Sequence, residues 1–269
     1  SKLPYNFGSP PFKHAEKDQP IIMTKTLRIA HCSDIHLDGD GYHQSQGGDA
    51  RAAYRDAFAH ALAIMRTHSP DMMLIAGDLF DANTASPETI EWSMSILEQQ
   101  PFPIVMIPGN HDCMGGDAIY QRYDFNRIRN VENLTAELGE ISYVEALGVA
   151  VWGKGMIDHS PDYNPLAGCP ERPDGYNWFL GMGHGIHVPH GADTGRSSPI
   201  HMSDIEASAC DYLALGHHHA ALELVTDKAT AAYSGSPTDD VGLGATYVII
   251  NLAENTATDV TVHAIGDRT

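Results

Sequence analysis

Five short clusters in the sequence gather residues that bind cations. They are Asp34-Ile35-His36, Gly77-Asp78, Gly109-Asn110-His111-Asp112, Gly183-His184-Gly185 and Gly216-His217-His218-His219. Each closes an apolar run that reads as a strand. In α/β sheets the ligand crevice lies beyond the carboxyl ends of the strands. Several carboxylates, one amide and several imidazoles are therefore expected at a single edge. Without a cation the carboxylates would repel one another and buried imidazoles would lack partners. A pair of divalent metals resolves both, and oxygen with imidazole nitrogen suits Mn, Fe, Zn, Co or Ni. If the clusters are extended, residues i and i+2 point the same way. Asp34 and His36 can then share one metal, and His217 and His219 can face one site with His218 turned aside. Glycines beside these residues let backbone approach closely.

The elements that must hold these clusters are legible in outline. Leu27–Cys32, Met72–Ala76 and Ile104–Ile107 read as buried strands. Ala50–Arg66 reads as a helix between the first two, with its apolar residues mostly on one side. A second helix starts at Pro87, with Ser86 as its cap. This is the alternation of an α/β sheet. In the second half, Glu140–Tyr143 and Val149–Trp152 read as a hairpin, and 158–176 as a long Pro-containing loop. Trp178–Met182 and Tyr212–Leu215 read as strands, with a helix over Ser203–Ala209. Leu222–Val225, Ala231–Ser234, Ala245–Asn251 and Asp259–His263 read as a run of antiparallel strands. The expected fold is one layered α/β domain over residues 23–269, its two sheets covered by helices. Residues 1–22 are Pro- and Lys-rich without the apolar core of a signal peptide, and are expected to be a loose extension ahead of a start at Met23.

The chain has 269 residues, and its 16 histidines equal its Lys and Arg combined. The net charge is −19, which opposes a protein that grips nucleic acid or an anionic membrane through a broad basic surface. No stretch reaches the ~20 apolar residues that span a bilayer. The four cysteines form no C-x-x-C pair, which fits reduced thiols in a cytoplasmic setting. His14, His60, His68 and His263 lack strand-end context and read as surface residues, and Cys32 and Cys113 read as packing thiols.

Together the five clusters resemble the motif series of calcineurin-like metallophosphoesterases, from about Leu27 to beyond Pro237. Within that superfamily, residues 28–37, Gly77-Asp78-Leu79-Phe80-Asp81 and Tyr233-Ser234-Gly235-Ser236-Pro237 are similar to the SbcD-type exonuclease branch. The resemblance implies a four-layer αββα sandwich, two mixed sheets flanked by helices, and a site for two divalent ions, manganese first. It implies that Asp34, His36 and His219 hold one ion, that Asn110, His184 and His217 hold the other, and that Asp78 bridges them. His111 would touch the scissile phosphate or the leaving group. The implied chemistry is in-line attack on phosphorus by a hydroxide held between the ions. Asp112 could orient His111 or be a turn residue; Asp81 could support the cluster or be a solvated loop residue.

The substrate is less specified. An acidic chain with no further C-terminal region is expected to favour a small phosphodiester over long DNA; an SbcD-like nuclease, a monoesterase and a non-enzymatic scaffold are the alternatives. Of these, the scaffold is opposed by the full set of ligands and His111. Candidate pocket walls are Tyr42, His43 and Arg51 in the first loop, Tyr163, Asn164, Arg172, Tyr176 and Trp178 in the second, and His187 and His190 beyond His184. Each aromatic could equally pack its loop onto the sheet.

Overall fold

A computed structural model describes residues 26–41, 49–192, 195 and 197–266. The expectations for residues 1–22 and for Tyr42 and His43 therefore lie outside the described residues. The strands among the described residues are numbered β1–β14 in chain order. The first sheet runs β14-β13-β1-β2-β3-β4 and the second β11-β12-β10-β7-β6-β5. In the first, β1 (Thr26–Cys32), β2 (Met72–Ala76), β3 (Ile104–Ile107) and β4 (Val131–Asn133) are parallel, with β13 (Thr246–Ala253) and β14 (Asp259–Ala264) added antiparallel. In the second, β6 (Val149–Gly153), β7 (Trp178–His184), β10 (Tyr212–Gly216) and β12 (Thr230–Ser234) are parallel. There β5 (Glu140–Val144) and β11 (Ala221–Val225) form antiparallel edges. A small pair, β8 (Ile186–Val188) and β9 (Pro199–His201), stands apart.

The continuous apolar strands follow from burial on both faces. In β2, Leu74 and Ala76 point between the sheets, where they meet Val105, Leu180, Ala214 and Ile250. Met73 and Ile75 point the other way, onto helices α1 (Ala50–Thr67) and α2 (Pro87–Glu98), which contribute Phe58, Leu62, Met65, Ile90 and Leu97. Helix α1 starts where the Asp49 carboxylate accepts from the Arg51 and Ala52 amides, and α2 where Ser86 caps Thr89 ahead of Pro87 at N1. A one-turn helix, α3 (Ile119–Arg122), follows β3.

The fourth layer is thin. Over the second sheet, Phe179, Leu213, Leu215 and Tyr233 are covered by α4 (Met202–Ala207), by Leu166 from the long loop and by Ile200. The Cys169 and Cys210 thiols lie 3.7 Å apart in this layer, and all four cysteines are free.

One topological expectation is corrected. The last four strands are not one antiparallel run: β12 pairs parallel with β10, and β13 crosses to the first sheet beside β1. Periodicity reports which faces of a strand are buried, not which neighbour buries them. The short β4, β8 and β9 carry too few residues to show a period.

Candidate metal centre

The parallel strands of both sheets end at one edge, and there the clusters meet. Asp34 and His36 follow β1, Asp78 follows β2, Asn110 and His111 follow β3, His184 ends β7, and His217 and His219 follow β10. The sheets touch directly at this edge: His184 Nδ1 hydrogen-bonds the Ala76 carbonyl at 2.8 Å.

The local backbone differs from the simple alternation expected. Asp34, His36, Asp78 and His217 all have positive φ, at 55°, 52°, 53° and 98°. Asp34 and His36 converge because the chain kinks left-handed at both, not because it is extended. Such conformations cost about 1–3 kcal/mol each for residues with a Cβ and persist only where the surroundings hold them. Here the hold is visible: the Asp34 amide donates to the Gly77 carbonyl, those of Ile35 and His36 to the Asp78 carbonyl, and that of Leu37 to the Leu79 carbonyl. The two post-strand turns are thus zipped together. Two glycines permit the approach. Gly77 has φ +91°, and a Cβ there would lie 2.3 Å from His184 Nδ1; a Cβ on Gly109 would lie 2.2 Å from Asp78 Oδ1.

Asp78 sits between two imidazoles. Its Oδ2 is 3.2 Å from His184 Nε2 and 3.8 Å from His36 Nε2. On one side, one ligand atom each from Asp34, His36 and His219 lies within 4.8 Å of the others. On the other, Asp34, Asp78 and His184 do the same, and Asn110 Oδ1 is 3.0 Å from His184 Nε2 and 2.8 Å from His217 Nδ1. The Asp34 carboxylate also accepts from the His217 amide at 3.0 Å.

Protonation follows from this crowding. Burial raises the Asp78 carboxyl, but the charges of His184 and His36 outweigh it and hold Asp78 below the usual range. Burial lowers His36, yet its hydrogen bond to Asp81 and the charge of Asp78 lift it to about 9. His184 is likewise lifted to about 9, burial being overcome by Asp78. His217 is pushed down to about 3 by burial and by His184. Protons on His36 and His184 are thus what balances the carboxylates, and bound cations can take their place.

The donor set fits divalent metals. His36 Nε2 is buried with no hydrogen-bond partner among the described residues. It faces carboxylate oxygens beyond hydrogen-bond range, as a ligand atom would face an ion's other ligands. Its Nδ1 is 3.1 Å from Asp81 Oδ1, which orients the ring in the way carboxylates orient metal-binding imidazoles. Asp240, unmarked in the sequence, faces His219 without a hydrogen bond: its Oδ2 is 3.5 Å from His219 Nδ1, and its Oδ1 accepts from the Tyr54 hydroxyl at 2.5 Å. His159 is equally unmarked; its ring centroid is 5.4 Å from that of His217. Neither residue closes an apolar strand, the signal that marked the others; each lies in a loop six residues beyond one.

His111 lies at the rim. Its amide donates to Asp78 Oδ1 at 2.8 Å, its Nδ1 bonds the Asp81 carbonyl at 2.7 Å, and its ring meets that of His36 edge-on at 4.6 Å. Its side chain is 40% exposed, against 1% for His36. Asp112 does not orient His111. Its carboxylate is fully buried and accepts from the Leu79, Phe80 and Gly109 amides and the Tyr120 hydroxyl, bracing the two turns. Asp81, through its carbonyl, is the residue that fixes the His111 ring. His218 turns aside, bonding the Ala220 carbonyl.

The proposed pocket walls fare differently. Trp178 is 7% exposed in the core between the sheets. It opens β7, whose other end is His184, so about 20 Å of strand separates them at ~3.3 Å per residue. It is a core residue. The Tyr163 ring packs under the Lys154 ammonium at 4.9 Å. Arg172 pairs with Asp211 at 2.6 Å, and Tyr176 hydrogen-bonds Glu145, so both fasten the long loop. His187 lies on β8. Among the described residues no hydrogen bond joins Tyr163 or His187 to the cluster.

The sequence profile of calcineurin-like phosphoesterases matches residues 27–221. The chain belongs to that family, whose members are hydrolases that use divalent metals. The DNA double-strand break repair protein Mre11 of Archaeoglobus fulgidus is 24% identical over 226 residues, which is 78% of this chain and 50% of Mre11. The SbcD component of the nuclease SbcCD of Escherichia coli K12 is 34% identical over 94 residues, 33% of this chain and 22% of that protein. The chain therefore spans half, or less, of the length of these relatives. A dimetal phosphatase from Danio rerio superposes with a TM-score of 0.58 at 11% identity, over 91% of this chain and 96% of that one. TT1561 of Thermus thermophilus gives 0.57 at 12% identity, over 89% and 99%. These two show the shared fold. No helix among the described residues is long and apolar enough to cross a membrane.

Proposed function

We propose that the chain hydrolyses small phosphodiesters with two divalent ions, manganese first among the candidates and iron, zinc, cobalt or nickel after it. The observation that carries this is the position of Asp78, whose carboxylate lies between the His36 and His184 imidazoles and within reach of both ends of the cluster. Asp34, His36 and His219 would hold one ion, Asn110, His184 and His217 the other, and Asp78 both. When bound, the ions clamp phosphoryl oxygens and lower the pKa of a water between them.

The chain's own residues do the rest. Asp81 fixes His36 with its carboxylate and His111 with its carbonyl, so one residue sets a ligand and a rim imidazole together. With Nδ1 donating to the Asp81 carbonyl, His111 as the imidazolium has its other ring N–H to offer a phosphoryl or leaving oxygen, where a donor stabilises developing charge. Asp112 and Tyr120 brace the turns behind. The net charge of −19 favours a small substrate in a local pocket over a long polyanion, and the free thiols accord with a cytoplasmic setting.

A second reading, an SbcD-like nuclease, is favoured by the relatives named above. Metal-loaded protein assayed on bis(p-nitrophenyl) phosphate, p-nitrophenyl phosphate and single- and double-stranded DNA separates the two. Chelator-sensitive diester hydrolysis is expected, with the monoester and DNA slower. DNA degradation at the diester rate would replace the small-diester reading with the nuclease one, and no hydrolysis with any of the five metals would overturn both.

A further inference from the structure

His159 is an imidazole at the cluster that no ligand role absorbs. Its ring lies 5.4 Å from the His217 ring at 36°, and it is within electrostatic reach of His184, Asp78 and His111. It thus stands at the Asn110–His184–His217 end, while His111 stands at the other, edge-on to His36. The segment carrying it is pinned on both sides. Ahead, the Met156 carbonyl accepts from the Met114 amide at 2.7 Å; behind, the Ser160 carbonyl accepts from Ser198 at 2.8 Å and Tyr163 at 3.2 Å. The ring is therefore placed by backbone, not left to wander on a loop tip. Its Nδ1 is buried and has no hydrogen-bond partner among the described residues. A buried polar atom left unpaired is costly and calls for a partner that the described residues do not supply.

Resting on the phosphoesterase reading, we propose that His159 is a second substrate-contacting imidazole. It would donate a hydrogen bond to a phosphoryl oxygen at the His217 end while His111 serves the His36 end. A phosphoester lying across the cluster would then be held between two imidazoles fixed on different loops. Both halves of the fold would contribute one, His111 from the first sheet's edge and His159 from the loop after β6.

The test is His159→Ala and His159→Gln in the full chain, loaded with Mn²⁺, beside the unchanged protein. Three quantities are read: bound Mn²⁺ per chain, the dissociation constant for orthovanadate, and kcat/KM on bis(p-nitrophenyl) phosphate. The expected result for Ala is unchanged metal content, about tenfold weaker vanadate binding, and kcat/KM lowered roughly 10–100-fold, near the low end for losing one preorganised donor. Gln, which keeps a donor, recovers part of both losses. Unchanged vanadate binding and turnover overturn the proposal, as does loss of an ion, which would make His159 a ligand. If the unchanged protein binds vanadate but cleaves no diester, the diesterase reading fails while the vanadate comparison still decides His159; if it binds no vanadate, both fail.

Discussion

The two ends of the metal centre are built from similar residues and supported by different ones. At the Asp34–His36–His219 end, each imidazole has a carboxylate behind it, Asp81 at 3.1 Å and Asp240 at 3.5 Å. At the Asn110–His184–His217 end, His184 is backed by the Ala76 carbonyl at 2.8 Å, and the next neighbour is another imidazole, His159. Two carboxylates make the first end more negative; a neutral carbonyl and an imidazole leave the second less so. On the proposed two-ion reading, a cation would be held more tightly at the first end, and one at the second would be held more weakly and keep more of its charge for a substrate. The contrast also tells which part of the chain does what: the negative supports come from loops after the first sheet's strands and before β13, the neutral ones from the strand end at Ala76 and the loop after β6.

The most severe way to break the contrast is to remove what the ends share. Asp78→Asn should lower turnover at least ~10³-fold, the scale of losing a principal electrostatic contributor, and drop bound metal below two ions per chain, measured by elemental analysis alongside kcat. Retention of two ions would deny Asp78 its bridging place. Next come one support of the first end and one ion-holding residue of the second. Asp81→Asn should weaken one ion's binding by about 10–100-fold, the usual effect of losing a carboxylate behind a ligating imidazole. Asn110→Ala should weaken the other and spare the first, and a metal titration of each variant reads the difference.

The smallest effect lies outside both ends and sharpens the comparison by being subtracted. Glu132 on β4 accepts from Ser142 on β5, joining the two sheets at their far edge. Burial lifts its carboxyl from 4.5 to about 7, against the pull of the Ser142 hydrogen bond. Between those values the folded chain keeps a proton that the unfolded chain has lost. Stability from this group is therefore full below 4.5 and is lost as pH rises through 7. Glu132→Gln should remove that loss, leaving the variant more stable than the parent by about 1–2 kcal/mol at pH ~8 and nearly equal at pH ~4.5. Denaturant titrations at the two pH values check it, with metal absent so that the cluster's own titration is common to both proteins.

The cluster was legible because its members end apolar runs, and a parallel sheet collects strand ends at one edge. Asp34, Asp78, Asn110 and His217 carried that signal. Asp240 and His159 did not, since they reach the site from loops whose course is set by tertiary packing. Of the two readings open for Asp112 the structure favours the turn residue, and of those for Trp178 the packing one, for a related reason. Neighbours in sequence, or aromatics near a motif, are placed by backbone direction: Asp112 points back into the turns, and Trp178 sits at the far end of its strand. The left-handed kinks at Asp34 and His36 were invisible too, because positive φ is uncommon for any residue with a Cβ and nothing in the sequence marks these two positions for it. The layers were clear from the runs themselves, while the crossing of β13 to the first sheet depends on pairing that periodicity does not encode.

A single carboxylate, Asp78, is held to join two unequal cation sites. Calorimetric titration of the metal-free chain with Mn²⁺, with and without Asp240→Asn, tests that claim most directly. Two ions per chain with separable affinities are predicted, the tighter one weakened in the variant and the other unchanged. A single ion per chain, or two sites weakened equally, would contradict it.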